Sequence, residues 1–148
     1  MNLVRADAQD RTLDEARETV YRFLAAALIE PREDSWRFLS DRANQRAVRA
    51  AMRLLAHAFG ESKLPSAAPM LRALPESLAE LEREHRRVFG LTTNRDCPPY
   101  ETEYLACDDA FFRAQQLADV AGFYRAFGLA PSSSINERPD HIALELEF

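Results

Sequence analysis

Glycine is scarce in this 148-residue chain, with four residues in all, and three of them stand where helices would end. That leaves no room for a glycine-rich phosphate loop, and neither an HExxH pair nor a serine elbow occurs. Cysteine is equally sparse: Cys97 and Cys107 sit at a spacing that suits neither a zinc knuckle nor a redox dithiol. A disulfide framework belongs to secreted chains, so both cysteines read as incidental. No apolar run approaches the roughly 18 residues of a membrane span, and the start Met-Asn-Leu-Val-Arg-Ala-Asp lacks a signal-peptide core, so the expected location is the cytoplasm without membrane insertion. Positive charge is in the minority, 19 Lys+Arg against 24 Asp+Glu for a net charge of −5. The arginines read as dispersed among acids, which argues against nucleic acid as the main partner. An acidic surface suits a basic ligand instead.

What the chain does contain is helix former. At 47% apolar and 29% charged it reads as one soluble domain, 1–148, long enough to bury a core. Alanine, leucine, glutamate and arginine dominate, while strand-like runs of valine, isoleucine and threonine are rare, so the expectation is all-α. A first helix opens on the capping box Thr12 to Glu15, aligns Ala16, Val20, Phe23, Leu24, Ala27 and Leu28, and ends at Pro31, with Tyr21 on the edge of the stripe. An amphipathic turn around Trp36, Phe38 and Leu39 leads to a helix from about Asn44 to Phe59, with Val48, Met52, Leu55 and Phe59 inward and Gly60 as terminator. A loop over 61–69 precedes a helix from about Pro75 to Phe89, on which His85 reads as an interfacial histidine because no second ligating side chain stands one turn away. Another helix runs from about Asp108 to Phe127. Its aromatics Phe111, Phe112, Tyr124 and Phe127 read as core.

Two loops carry the polar chemistry, 91–104 and 129–139. In the first, paired prolines stiffen Cys97 to Tyr100 and would fix Tyr100 and Glu101 at a rim. In the second, Pro139, Asp140 and His141 suit a helix start, with Asp140 as cap and an N-terminus attractive to anions. The tail that follows is ambiguous. Ile142, Leu144, Leu146 and Phe148 alternate as a strand would, yet also form the i,i+4 pairs Ile142–Leu146 and Leu144–Phe148 of a helix.

Three stretches together resemble the TorD/DmsD/NarJ superfamily of chaperones for molybdenum-containing reductases. They are Pro98-Pro99-Tyr100-Glu101-Thr102-Glu103-Tyr104, the segment from Asp119 through Gly122, Tyr124 and Phe127 to Gly128-Leu129, and Glu137-Arg-Pro-Asp140-His141-Ile142 with the apolar run after it. They occur in the family's order. Before residue 98 the resemblance is only an all-helical pattern. The resemblance implies a TorD-like helical bundle whose tail is a central helix, and it implies that the chain lacks several C-terminal helices. Exposed apolar residues on that last helix would then favour self-association or a segment-swapped dimer.

The resemblance also implies a function: binding the twin-arginine signal or leader peptide of a molybdoenzyme catalytic subunit and assisting cofactor insertion. No enzymatic turnover and no cofactor of its own are implied. A twin-arginine leader presents guanidinium groups followed by an apolar stretch, so its receptor needs carboxylates around an apolar groove. Glu101, Glu103, Glu137 and Asp140 are candidates for the carboxylates, and Tyr21, Tyr100 and Tyr124 for the groove. Asp140 and His141 match the family's signature pair residue for residue, Asp140 accepting from a leader arginine or fixing His141. Arg138 is expected to pair with Glu137 and contribute little, as exposed pairs do. Two other readings remain at this level. One is a nucleotide-binding or acid-base enzyme using Glu137, Asp140 and His141 with His85; the other is a helical interaction module without peptide specificity.

Overall fold

The computed structural model describes residues 3–60, 64–90, 97–104, 110–132, 135 and 137–148. They form seven helices: α1 (Leu3–Leu28), α2 (Glu33–Ser40), α3 (Arg42–Phe59), α4 (Ala67–Arg72), α5 (Leu78–Phe89), α6 (Ala110–Ala126) and α7 (Ile142–Glu147), with a 3-10 turn at Glu101–Tyr104. The described residues contain no strand, in agreement with the all-α expectation. No described helix is long and apolar enough to cross a membrane.

The central element is α1, against which α2, α3 and α7 all lie. Its face buries Ala16, Val20, Phe23 and Ala25. Phe23 shares one buried cluster with Leu39 of α2, Val48 of α3, Ala67 and Leu71 of α4 and Leu81 of α5, so residues of five helices meet in it. A second cluster packs Ala16 and Val20 against Ala51 and Leu55 of α3. The start of α1 differs from expectation: the helix is already formed at Leu3, so Thr12 lies in its interior and does not cap it. The residues before Thr12 include neither glycine nor proline, and continued propagation adds a hydrogen bond per residue.

The α2–α3 junction turns on Asp41, which follows α2 and caps α3 by accepting from the Ala43 N–H at 2.6 Å. Amides from α3 reach back to the open carbonyls of α2, Asn44 Nδ2 to Phe38 O at 2.9 Å and Gln45 Nε2 to Leu39 O at 2.8 Å. These bonds satisfy groups that a helix end leaves orphaned. Gly60, at φ 99°, closes α3. Phe59 was expected inward and is instead exposed, lying 5.3 Å from the Arg17 guanidinium. The expectation that arginines are dispersed among acids also fails on this helix, which carries Arg42, Arg46, Arg49 and Arg53 and no acid.

The expected loop 61–69 is shortened by α4, capped by Ser66; 61–63 lie outside the described residues, as do 91–96, 105–109 and with them Cys107. Ser77 caps α5 through the Glu80 N–H at 3.2 Å, placing the start three residues after Pro75. His85 is interfacial: its Nε2 lies 3.4 Å from the Leu28 carbonyl and its ring meets Phe89 edge-on at 4.9 Å. At the end of α6, Gly128 at φ 73° permits Gly128 N to bond Arg125 O and Leu129 N to bond Tyr124 O, a Schellman closure.

The aromatics of α6 depart most from expectation. Tyr124 is buried, but Phe111, Phe112 and Phe127 are exposed, as is Phe123. Among the described residues α6 packs chiefly on the 3-10 turn, leaving much of its surface uncovered. The tail resolves as helix: Ala143 and Leu144 are buried, while Ile142 and Phe148 remain exposed. Its strand-like pattern survives only as one antiparallel bridge, Tyr100 to His141, immediately before the helix.

Candidate functional site

That bridge stitches the proline loop to the signature turn. Ile142 N donates to Pro99 O at 2.8 Å and Glu101 N to Asp140 O at 3.0 Å, so two segments some forty positions apart become one wall. Beneath it Asp140 is fully buried. Its Oδ2 accepts from the Thr102 hydroxyl at 2.7 Å, the Thr102 N–H at 3.2 Å and Arg138 Nη2 at 2.7 Å, while Oδ1 accepts from Arg138 Nε at 3.0 Å. This two-point fork is the strong form of an arginine–carboxylate pair. Thr102, buried as well, accepts a further bond from Arg138 Nη2.

Arg138 is therefore the hub of the cluster, not a flanking residue paired with Glu137. It donates from Nη1 to Glu103 at 3.2 Å, and its guanidinium lies 4.3 Å from the centre of the Tyr100 ring. Burial pulls its pKa down, but the hydrogen bonds and charges of Asp140 and Glu103 outweigh that and raise it. Glu103 also receives Arg113 at 3.3 Å, tying the cluster to α6. Glu137 accepts from the Tyr100 hydroxyl at 3.1 Å. Burial, then the Glu137 charge, raises the pKa of that phenol.

His141, and not Asp140, caps α7: its Nδ1 accepts from the Ala143 N–H at 3.1 Å. An accepting Nδ1 requires the neutral ring with its proton on Nε2. Burial pushes the imidazole pKa below its ordinary value, with Glu137 and Asp140 opposing and His85 adding to the depression. Because the folded-state pKa is the lower one, the stabilisation is complete above the unfolded value near 6.5 and is lost as pH falls through the folded value. His141→Asn, which retains a capping acceptor without titrating, should flatten the urea-midpoint profile between about pH 7 and 5; the cap is worth about 0.5–2 kcal/mol. Identical profiles for the two proteins would show that His141 does not sense pH.

Around Tyr124 the same wall borders an open groove. Tyr124 donates to the Pro139 carbonyl at 3.3 Å, and Phe123, Phe127 and Phe148 meet around it with ring centres 5.1–5.2 Å apart. A cavity of about 340 Å³ has Val120, Phe123, Tyr124 and Phe148 as its apolar floor and Glu101, Asp119 and Glu145 at its rim. None of these three exposed carboxylates forms an ion pair in the described structure. Burial, then the charges of Glu101 and Asp140, raises the pKa of Glu145. Such a rim lowers the cost of bringing a cation alongside an apolar chain.

The sequence candidates thus divide into three. Tyr100, Glu103, Glu137, Asp140 and His141 are joined with Arg138 and Thr102 into the internal lattice; Glu101 and Tyr124 reach the groove; Tyr21, 45% exposed on α1, belongs to neither group. Asp140 bonds to Arg138 and Thr102 and not to the His141 ring, so the acid-base triad of the enzymatic reading is occupied with structural bonds. Thr102, Asp119, Glu145 and Phe148 were not among the expected site residues. The signal for Thr102 was a small hydroxyl between two acids in a rigid loop. Asp119 stands one turn before Phe123, and Glu145 one turn after His141, spacings that share a helix face.

Residues 41–148 match the profile of the nitrate reductase delta subunit family. In fold the chain is similar to a crystal structure from Archaeoglobus fulgidus, named provisionally as a redox enzyme maturation protein, at 21% identity and a TM-score of 0.50; the match covers 88% of this chain and 67% of that one. No curated protein matches.

Proposed function

Since the chain belongs to the nitrate reductase delta subunit family, we propose that it is a cytoplasmic maturation chaperone that holds the N-terminal leader of a molybdoenzyme catalytic subunit. The leader occupies the groove over Tyr124 and Phe148 while the cofactor is inserted into the client. The observation that carries this reading is the pairing of an aromatic floor with three carboxylates, Glu101, Asp119 and Glu145, that have no ion-pair partner among the described residues. An arginine-containing leader supplies the missing cations, and its apolar stretch covers the floor. Burying three leader side chains contributes about 5–9 kcal/mol gross, and ordering the peptide takes back about 2–5 kcal/mol. Charge-assisted contacts at the rim then bring affinity into the micromolar range, near −8 kcal/mol. In this reading Arg138, Asp140 and His141 shape the wall and do not touch the leader arginines.

Calorimetry with a twin-arginine leader peptide tests the groove. Glu101→Gln with Glu145→Gln removes two exposed charges, each worth about 0.2–1 kcal/mol, and is expected to weaken binding by about tenfold. Binding should also weaken as pH falls toward 5, because the raised pKa of Glu145 discharges that carboxylate earlier than an ordinary glutamate. Unchanged affinity in the double variant would remove the leader from this groove. The maturation role is checked separately, by the molybdenum content of a client subunit produced with and without this protein; equal contents would overturn it.

A further inference from the structure

Most described arginines on α1, α2 and α5 are answered by an acid on their own helix. On α5, Arg83, Arg86 and Arg87 face Glu80, Glu82 and Glu84 at 3.3, 3.9 and 2.8 Å. On α1, Arg17 and Arg22 pair with Asp14 and Glu18, and on α2 Arg37 pairs with Glu33. The opposite holds for α3. Its 18 residues contain no aspartate or glutamate, and Arg42, Arg46, Arg49 and Arg53 are all exposed. None of the four forms an ion pair in the described structure.

Spacings of four, three and four residues place these arginines within an arc of about 60° and along about 16 Å of helix axis. The opposite side of α3, with Val48, Ala51 and Leu55, is spent against the core. Like charges at such spacings destabilise a helix by about 0.2–0.5 kcal/mol per pair, so the helix itself gives no reason for the row. Along one flank of the row stand the exposed alanines Ala43, Ala47 and Ala50, which permit close approach of another helix. Beside Arg49 and Arg53 a cavity of about 340 Å³ opens between Met52 and the Leu64–Ala67 segment, lined by Met52, Ala56, Leu64 and Pro65 together with the two arginines and Ser66.

We propose that this face of α3 docks an acidic helical segment of a partner protein, with carboxylates at the same four-three-four spacing and one apolar side chain seated in the cavity beside Arg49 and Arg53. Charge complementarity sets the sign of the partner, and the guanidinium fork favours carboxylates. The cavity adds an anchor that charge alone does not require. A bilayer surface would be met by several bulky apolar side chains among the basic ones, and a single nucleic-acid strand by aromatic platforms; the flank of this row carries Ala43, Ala47 and Ala50, with Leu54 partly exposed beside them. The surface is opposite in sign to the leader groove and does not depend on it.

The test is fluorescence anisotropy of the full chain with a synthetic helical peptide bearing glutamates at that spacing and one leucine. Phosphatidylglycerol vesicles and single-stranded RNA serve as competing probes. The peptide is expected to bind, and to bind more weakly as salt is raised. Arg49→Glu with Arg53→Glu should weaken it by about tenfold or more, Arg49→Gln with Arg53→Gln by less, and Arg83→Glu with Arg86→Glu should leave it unchanged. Thermal unfolding of each variant shows that α3 is intact, since all four side chains are exposed. Absence of peptide binding, equal binding by the Arg49/Arg53 and Arg83/Arg86 variants, or tighter binding of vesicles or RNA than of the peptide would overturn the proposal. Twin-arginine leader binding measured on the same variants is expected to persist, so failure here and failure of the groove are separable.

Discussion

Replacing Arg138 by alanine is expected to destabilise the protein by about 3 kcal/mol, the lower end of what removing one partner of a buried ion pair costs. Asp140 has no exposed surface, and both of its oxygens accept from Arg138. Without that guanidinium the carboxylate keeps only Thr102. The lower end applies because the Arg138 side chain is 36% exposed, so its removal admits some water to the site. A second substitution makes the cause visible: Asp140→Asn in the Arg138→Ala background removes the stranded charge and should restore part of the stability. Arg138→Lys should fall between, since an ammonium cannot reproduce the fork. Urea unfolding of the wild type, Arg138→Ala, Asp140→Asn and the double variant gives the coupling directly. A loss below about 1 kcal/mol in Arg138→Ala, or no recovery in the double variant, would mean that Asp140 does not depend on Arg138.

Phe23→Ala should produce a loss of similar or greater size, about 3–5 kcal/mol. The ring is fully buried, lies 6.2 Å from Phe38 and sits in a cluster drawn from five helices, so truncation opens a void that no single element can move to fill. A domain stable by about 5–15 kcal/mol would then be near its unfolding threshold. Phe111→Ala is the internal control: at 78% exposure its loss should stay within about 0.5 kcal/mol. Thermal or urea denaturation decides, and equal losses at the two positions would contradict the core assignment.

The helical elements were legible because their signals are local. Gly60 and Gly128 read as terminators and occupy positive-φ closures that other residues adopt at a cost, whereas the caps Asp41, Ser66 and Ser77 do not read as starts, so the expected α3 and α5 begin at about Asn44 and Pro75 and α4 falls in an expected loop. The apolar stripe of α1 follows from the same 3.6-residue period. Capping was less secure where two signals competed. Thr12 reads as a start only if nothing upstream is helical, and Asp140 reads as a cap only if its carboxylate has no better partner.

The sequence by itself determined that this is an all-α chain with an apolar face on α1 and a glycine-closed α6. Composition, period and order along the chain suffice for those conclusions, since each depends on neighbours a few positions apart. Only the tertiary structure decided that Arg138 belongs to Asp140 and not to Glu137, that His141 caps α7, that Glu101, Asp119 and Glu145 share one rim, and that the α6 aromatics stand exposed. Ion pairing and burial depend on which surfaces meet. The bridge from Tyr100 to His141 brings together segments about forty residues apart, and no periodicity encodes that distance.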